Sequence, residues 1–167
     1  MLKKVTSAIV TCLVLTAGVS MADHLDSAQV VKDKIAAAKA NIQTIDNKTL
    51  NSWIEDGEKE FVLLDIREPG EVSAAKIEAD ESMDIPRGLV EFVFTKKVTD
   101  HDKPVVVYCK KGGRGALAAA TLKELGYKKV YNLDGGILKW ITDGYPVSNF
   151  LGEFEVKNFE SNFQKKS

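Results

Sequence analysis

Residues 103–127 read "KPVVVYCKKGGRGALAAATLKELGY". Three valines and a tyrosine behind Pro104 form an uninterrupted apolar run, the pattern of a strand buried on both faces of a parallel sheet. Cys109 is the last residue of that run. A short basic loop with two glycines follows, and from Gly115 to Tyr127 the chain reads as a helix. Leu117, Ala120, Thr121 and Leu125 are expected along one side of it, and Gly126 stops it. Strand, tight loop and helix in direct succession form half of a β-α-β unit, so the segment points to an α/β fold.

The flanking sequence extends the alternation. Residues 26–40, "DSAQVVKDKIAAAKA", predict a helix capped by Asp26 or Ser27, with Val31, Ile35, Ala38 and Ile42 in one stripe. "NIQTID" is a short strand, and "NKTLNSWIEDG" is a helix ended by Gly57. "EFVLLDIRE" is a buried strand, "PGEVSAAKIEAD" a helical turn opened by Pro69, and "SMDIP" a strand. "RGLVEFVFTKKV" is helical, with Leu89, Phe92, Val93 and Lys96 in its turn pattern. "KKVYNLDGG" is the last strand and turn, and "ILKWITDGYPV" the last helix. The fold class is α/β: one domain with about five mostly parallel strands and helices on both faces.

The chain has 167 residues, 44% of them apolar, enough for one core and too few for two. Its net charge of -1 gives no reason to expect nucleic acid or an anionic membrane as partner. Residues 1–22 read as a signal peptide. Lys3 and Lys4 precede the apolar run Val5 to Val19, and Ser20-Met21-Ala22 is a small-x-small cleavage site. The run is short for a membrane span, an uncleaved anchor being the alternative. The expected organisation is a signal peptide at 1–22, a helical extension at 23–40, the main domain at 41–148 and a tail at 149–167. Export, to a periplasm, follows from this reading, with no stable membrane insertion after cleavage. The tail carries Phe150, Phe154, Phe159 and Phe163, which suit packing on the same chain, pairing with a second subunit, or partial disorder.

Cleavage removes Cys12 and leaves Cys109 alone, so no internal disulfide forms. A lone cysteine is commonly a buried, inert residue. Its neighbours argue otherwise. In open α/β sheets, ligands bind beyond the carboxyl ends of the strands. There Cys109 meets the amide N–H groups and partial positive charge of a helix start. Gly112 and Gly113 allow the turns that aim successive amides inward. Helix starts and adjacent cations stabilise a thiolate. Lys110, Lys111 and Arg114 are unfavourable at a helix start unless an anion binds there, so the loop reads as an anion cradle centred on sulfur.

These residues, taken together, resemble the rhodanese-like sulfurtransferases. "CKKGGRG" is similar to the family's C-x-x-G-x-R loop, "LLDIREPGEV" to its D-V-R-x-x-x-E stretch, "DIPRG" to its I-P-x-G turn and "NLDGGILKW" to its L-x-G-G-x-x-x-W ending. Order and spacing agree from about Ile42 to Val147. The extension "KIAAAKANIQTID" looks, more weakly, like that of periplasmic polysulfide-sulfur transferases. The resemblance implies a two-step transfer through a Cys109 persulfide. The donor is a small anion, thiosulfate or polysulfide, and the acceptor is a thiol, sulfide, cyanide or a partner protein. The substrate cradle is Lys110, Lys111, Gly112, Gly113, Arg114 and Gly115, and Arg87 is a possible pocket residue. Asp65 and Arg67 are expected as structural ion-pairing groups. A homodimer is a further possibility, and no cofactor is implied.

This chain departs from the family where G-H-I-x-G-A is usual and "AKIEAD" stands instead. Lys76 is expected to pair with Glu71 in place of the usual histidine. Two rivals remain. Cysteine phosphatases and arsenate reductases use C-x5-R, one loop residue more than the spacing from Cys109 to Arg114, and no loop Asp offers itself as general acid. Some rhodanese-like domains are carriers or binding modules, which an intact cysteine does not by itself distinguish from an enzyme. His24 and His101 with one cysteine give no metal-ligand spacing, and no P-loop pattern is present. The "DGG" at Asp134 reads as a turn.

Overall fold

The structure is a computed structural model that describes residues 26–57 and 59–160. The expected signal peptide, its cleavage site, His24 and Phe163 lie outside the described residues. No helix of the described residues is long and apolar enough to cross a membrane.

In chain order the elements are α1 (Ser27–Asn41), β1 (Gln43–Ile45), α2 (Asn47–Asp56), β2 (Val62–Asp65), α3 (Pro69–Ala74) and β3 (Ser82–Asp84). A 3-10 turn at Arg87–Leu89 leads into α4 (Val90–Lys97). Then come β4 (Val105–Tyr108), α5 (Gly113–Glu124), β5 (Val130–Leu133), α6 (Gly136–Thr142), β6 (Val147–Asn149) and β7 (Gly152–Phe154). Strands β1 to β5 form one sheet in the order β1-β5-β4-β2-β3, every pairing parallel.

Strands β2 and β4 occupy the interior of the sheet and every residue of both is buried. Their successive side chains feed opposite faces. Val62, Leu64, Val105 and Val107 pack with Val90, Phe94, Ala118, Ala119 and Leu122 beneath α4 and α5. Leu63, Val106 and Tyr108 pack with Leu50, Ile137 and Trp140 beneath α2 and α6. Helices therefore cover both faces. The Asp26 side chain accepts from Ala28 N at 3.0 Å and caps α1; Asp46 accepts from Thr49 N at 2.8 Å and caps α2.

Three helix faces differ from the expectation. In α5 the buried residues are Gly115, Ala116, Ala118, Ala119 and Leu122, whereas Leu117, Ala120 and Thr121 are half-buried and Leu125 is exposed. Four of the five buried residues are glycine or alanine, and short side chains let the helix lie close to the sheet; Leu117, Ala120 and Thr121 of the expected stripe line the groove beside α1. In α4, Val90 and Phe94 point inward while Leu89 and Phe92 are exposed. Helix α1 buries Ala38 and leaves Val31 exposed. It packs along α5, so residues 27–41 lie against the helix that follows the cysteine.

The last helix ends at Thr142, before the expected "YPV", and β6 and β7 form an antiparallel hairpin across the boundary expected at residue 148. Lys76 and Ser148 exchange backbone hydrogen bonds of 2.9 and 2.8 Å, which join the hairpin to the domain. Phe154 and Phe159 pack back on the α2/α6 core; Phe150 is exposed at the hairpin tip.

Helix α6 fixes the loop after β4. Ile137 N donates to the Cys109 carbonyl at 2.9 Å, and Leu138 N to the Lys110 carbonyl at 3.2 Å. Gly136, at φ +57°, makes this approach possible: a Cβ there would stand 2.2 Å from the Cys109 carbonyl oxygen. Gly136→Ala should therefore cost at least about 2 kcal/mol, from left-handed strain and a clash that only backbone movement relieves. Urea unfolding of the variant measures it; an unchanged midpoint would contradict this account of the loop.

Candidate active site

Cys109 sits one residue beyond β4 and is 1% exposed. Residues 109–112 form the turn into α5, with Gly112 as the N-cap at φ +84°. A Cβ at Gly112 would lie 3.2 Å from the Leu133 carbonyl oxygen, so an added side chain would meet both strain and crowding. The Cys109 sulfur accepts a hydrogen bond from the Gly115 N–H at 3.3 Å. The described residues contain no cis peptide. In a trans peptide the N–H points opposite to its carbonyl. With the Cys109 and Lys110 carbonyls turned to α6, the N–H groups of Lys110 and Lys111 point to the other side of the loop.

The positive end of α5, a helix of 12 residues, thus faces the sulfur and favours negative charge there. Lys110 is half-buried and Lys111 exposed. Arg114 is not a loose cation waiting for substrate. Its Nη1 and Nη2 donate to the two carboxylate oxygens of Glu71, both at 2.8 Å. Glu71 is therefore the partner of Arg114 and not of Lys76, which instead pairs with Glu78 at 2.8 Å. Hydrogen bonding from Arg114 holds the Glu71 carboxyl down at about 2, against the opposing effect of burial. The same bond with Glu71 raises the pKa of Arg114, and the nearby Cys109 sulfur adds to the rise.

Glu71 is placed by a second ion pair. Asp65, at the end of β2, is fully buried, and Arg67 is 4% exposed. Arg67 Nε donates to both Asp65 oxygens at 2.9 Å. Its remaining nitrogens donate to the carbonyls of Glu71 at 3.1 Å and Ala75 at 2.7 Å. Arg67 thereby ties β2 to the middle and the C-cap of α3, and a capping box between Glu68 and Glu71 fixes the helix's first turn. Removing one partner of such a buried pair typically costs about 3–5 kcal/mol. The hydrogen bonds of Asp65 and Arg67 hold β2 to α3.

Arg87 bonds to residues of α4 and α5. Its Nη1 donates to Glu91 at 2.8 Å and its Nη2 to Thr121 at 3.2 Å, in the groove between α1 and α5. A cavity of about 340 Å³ lies between α3, β3 and the hairpin, lined by Arg67, Pro69, Val72, Lys76, Asp84 and Phe150 among others, and by none of residues 109–115. His101 stacks on Tyr127 with ring centroids 4.4 Å apart, a packing position. No cluster able to hold a metal ion occurs among the described residues.

Two features escaped sequence reasoning. The Arg114–Glu71 pair joins residues far apart in the chain, which local pattern does not reveal. Gly136 is the point where α6 touches the cysteine loop, a steric role that neither the turn reading nor the L-x-G-G-x-x-x-W resemblance reveals.

A family model described as "Rhodanese-like domain" matches residues 46–143, more than half the chain. A sulfurtransferase of Allochromatium vinosum is 34% identical over 64% of this chain and 94% of its own length. The polysulfide-sulfur transferase homodimer of Wolinella succinogenes superposes with a TM-score of 0.61 at 30% identity, over 81% of this chain and 94% of that one. A Rhodopseudomonas palustris protein of unknown function, described as a possible tyrosine phosphatase, superposes with a TM-score of 0.64 at 31% identity, over 71% and 93%. The parallel five-stranded sheet, the sulfur at the start of α5 and these likenesses agree: the chain belongs to the rhodanese-like sulfurtransferase family.

Proposed function

We propose that this protein moves a sulfane sulfur from a small anionic donor, polysulfide or thiosulfate, to a thiophilic acceptor through a persulfide on Cys109. The observation that carries the reading is the seat of the sulfur: a buried thiol with the Gly115 N–H on it at 3.3 Å, at the positive end of α5. In the first step the Cys109 thiolate attacks the outer sulfur of the donor. A new S–S bond forms, the donor's S–S bond breaks, and sulfite or a shortened polysulfide leaves with the electron pair. In the second step the acceptor's thiolate, sulfide or cyanide takes the outer sulfur, and Cys109 leaves as thiolate. No net oxidant or reductant is consumed. This is nucleophilic catalysis with the charge received by fixed dipoles.

Each part of the cradle has a task in this reading. The amides of residues 110–115 receive charge on the sulfur and on the departing group. Lys110 and Lys111 draw in the anionic donor. Arg114, committed to Glu71, holds the first turn of α5 to α3 and adds a fixed positive charge beside the sulfur. That commitment, with the short Cys109-to-Arg114 spacing, favours sulfur over a phosphate ester. Likeness to the Wolinella protein over 81% of this chain supports polysulfide as donor and a homodimer as the assembly. Transfer to a partner protein's thiol uses the same second step. An exported, periplasmic location completes the proposal and is supported by the signal-peptide pattern of residues 1–22.

The Glu71–Arg114 pair is about one-third exposed, at 31% and 36% for the side chains, so its contribution to stability is at most about 1 kcal/mol. Its value is orientation. Because the folded-state carboxyl is held at about 2, below its ordinary 4.5, the contribution is complete above about 4.5 and lost as pH falls towards 2. The stability difference between wild type and Glu71→Gln should be about 1 kcal/mol near neutrality and shrink to nothing by about pH 2, measured by urea unfolding across that range.

Replacing Cys109 with Ser tests the mechanism. Thiosulfate:cyanide and polysulfide:cyanide transfer should fall by more than about a thousandfold, since the hydroxyl is neither a comparable nucleophile nor a persulfide carrier. Turnover near the wild-type rate in that variant would overturn the reading.

A further inference from the structure

Asn132, in β5, is fully buried, yet neither Oδ1 nor Nδ2 has a hydrogen-bond partner among the described residues. In the sheet it pairs with Val107, two residues before Cys109. Val107, Cys109 and Val130 share the apolar layer under α5, and side chains alternate along a strand. Asn132 and Cys109 therefore project from the same face as diagonal neighbours, beneath the first turn of α5.

Gly115 touches both. Its N–H donates to the Cys109 sulfur at 3.3 Å, and a Cβ built on it would stand 2.3 Å from Asn132 Oδ1. A Cβ at Gly112 would lie 3.5 Å from Asn132 Nδ2. The carboxamide thus fills the space under the turn that holds the sulfur, and no larger residue fits at Gly115 while it does. A leucine would pack in this apolar layer without the cost of two unpaired polar atoms. A local rule broken in this way, in contact with a reacting loop, indicates function.

We propose that Asn132 is a positioning residue for Cys109: it sets the height of the Gly115 N–H over the sulfur and presents an uncommitted amide to the charge the sulfur acquires. Since neither amide atom is bonded, a half turn about χ2 breaks no hydrogen bond and exchanges acceptor for donor beside Gly115. Asn132 is flanked in the sheet by Val107 and Thr44, both uncharged. Charged groups on the elements packed around it are Lys110, Lys111 and Asp134 in the adjoining loops, Arg114, Lys123 and Glu124 on α5, Glu71 on α3 through Arg114, and Lys32, Asp33, Lys34 and Lys39 on α1, which packs along α5. The inference rests on Cys109 being the reacting sulfur.

The test is the pH dependence of Cys109 alkylation by iodoacetamide in the sulfur-free chain, read on the Cys109 peptide by mass so that Cys12 does not contribute. Asn132→Asp places a like charge under the sulfur and should move the midpoint of the profile up by about one pH unit or more. Asn132→Leu should lower kcat for sulfur transfer about tenfold while changing the donor KM less than about threefold, the mark of a lost transition-state interaction. Profiles that superpose on wild type, with kcat unchanged, would overturn the proposal. Should either variant fail to fold, the shared space decides. Gly115→Ala should slow alkylation, and adding Asn132→Ser should restore it; no restoration would overturn the proposal. Alkylation needs no sulfur donor, so its outcome is independent of whether Cys109→Ser abolishes turnover.

Discussion

Two hydrogen bonds from the start of α6 to the carbonyls of Cys109 and Lys110 decide what the rest of the site can do. A loop at a sheet rim is free to turn its carbonyls or its amides toward a ligand. Here α6 takes the carbonyls, and planarity of the peptide sends the following N–H groups to the other side. The approach needs Gly136 at positive φ with no side chain in the way. Gly112 then turns the chain into α5, and Gly115 completes the turn with its N–H on the sulfur. Gly112, Gly115 and Gly136 each answer a specific steric demand, and the sulfur receives the Gly115 N–H.

A second layer of constraint comes from two arginines with different duties. Arg67 is buried, bonded to Asp65 and to the carbonyls of Glu71 and Ala75, and acts as a rivet between β2 and α3. Arg114 is partly exposed, and its bond to Glu71 gives orientation more than stability. The order is hierarchical. Arg67 places α3, α3 places Glu71, Glu71 orients Arg114, and Arg114 holds the start of α5 beside the sulfur. Preorganisation of this kind lets dipoles serve a developing charge without reorganising as it appears.

Much of this was legible in the chain because it is written locally. The valines of β4, the N-cap aspartates at 26 and 46, the glycine stops and the basic loop all carry their information within a few residues. The errors fall where packing distance, not periodicity, decides. The α5 stripe Leu117, Ala120, Thr121 and Leu125 suits the inward face by size, whereas the sheet receives Gly115, Ala116, Ala118, Ala119 and Leu122. The β6–β7 hairpin turns through Phe150 and Leu151, which give no turn signal; the Asn149 side chain and Gly152 at φ +118° do that work. Lys76 does not pair with Glu71 because Arg114, which only the fold brings there, takes both carboxylate oxygens. Asn132 was invisible, one polar residue in an otherwise ordinary strand.

The family fixes the class of chemistry, and the proposed mechanism assigns that chemistry to the Cys109 sulfur at the start of α5. The account stands or falls on whether Cys109 carries sulfur between donor and acceptor. Intact mass of the purified protein, taken before and after polysulfide or thiosulfate and again after a thiol, measures this directly. The account predicts a gain of one or more sulfur atoms, located on the Cys109 peptide and removed by the thiol. An unchanged mass with both donors, in protein whose Cys109 is reduced and alkylatable, would contradict it.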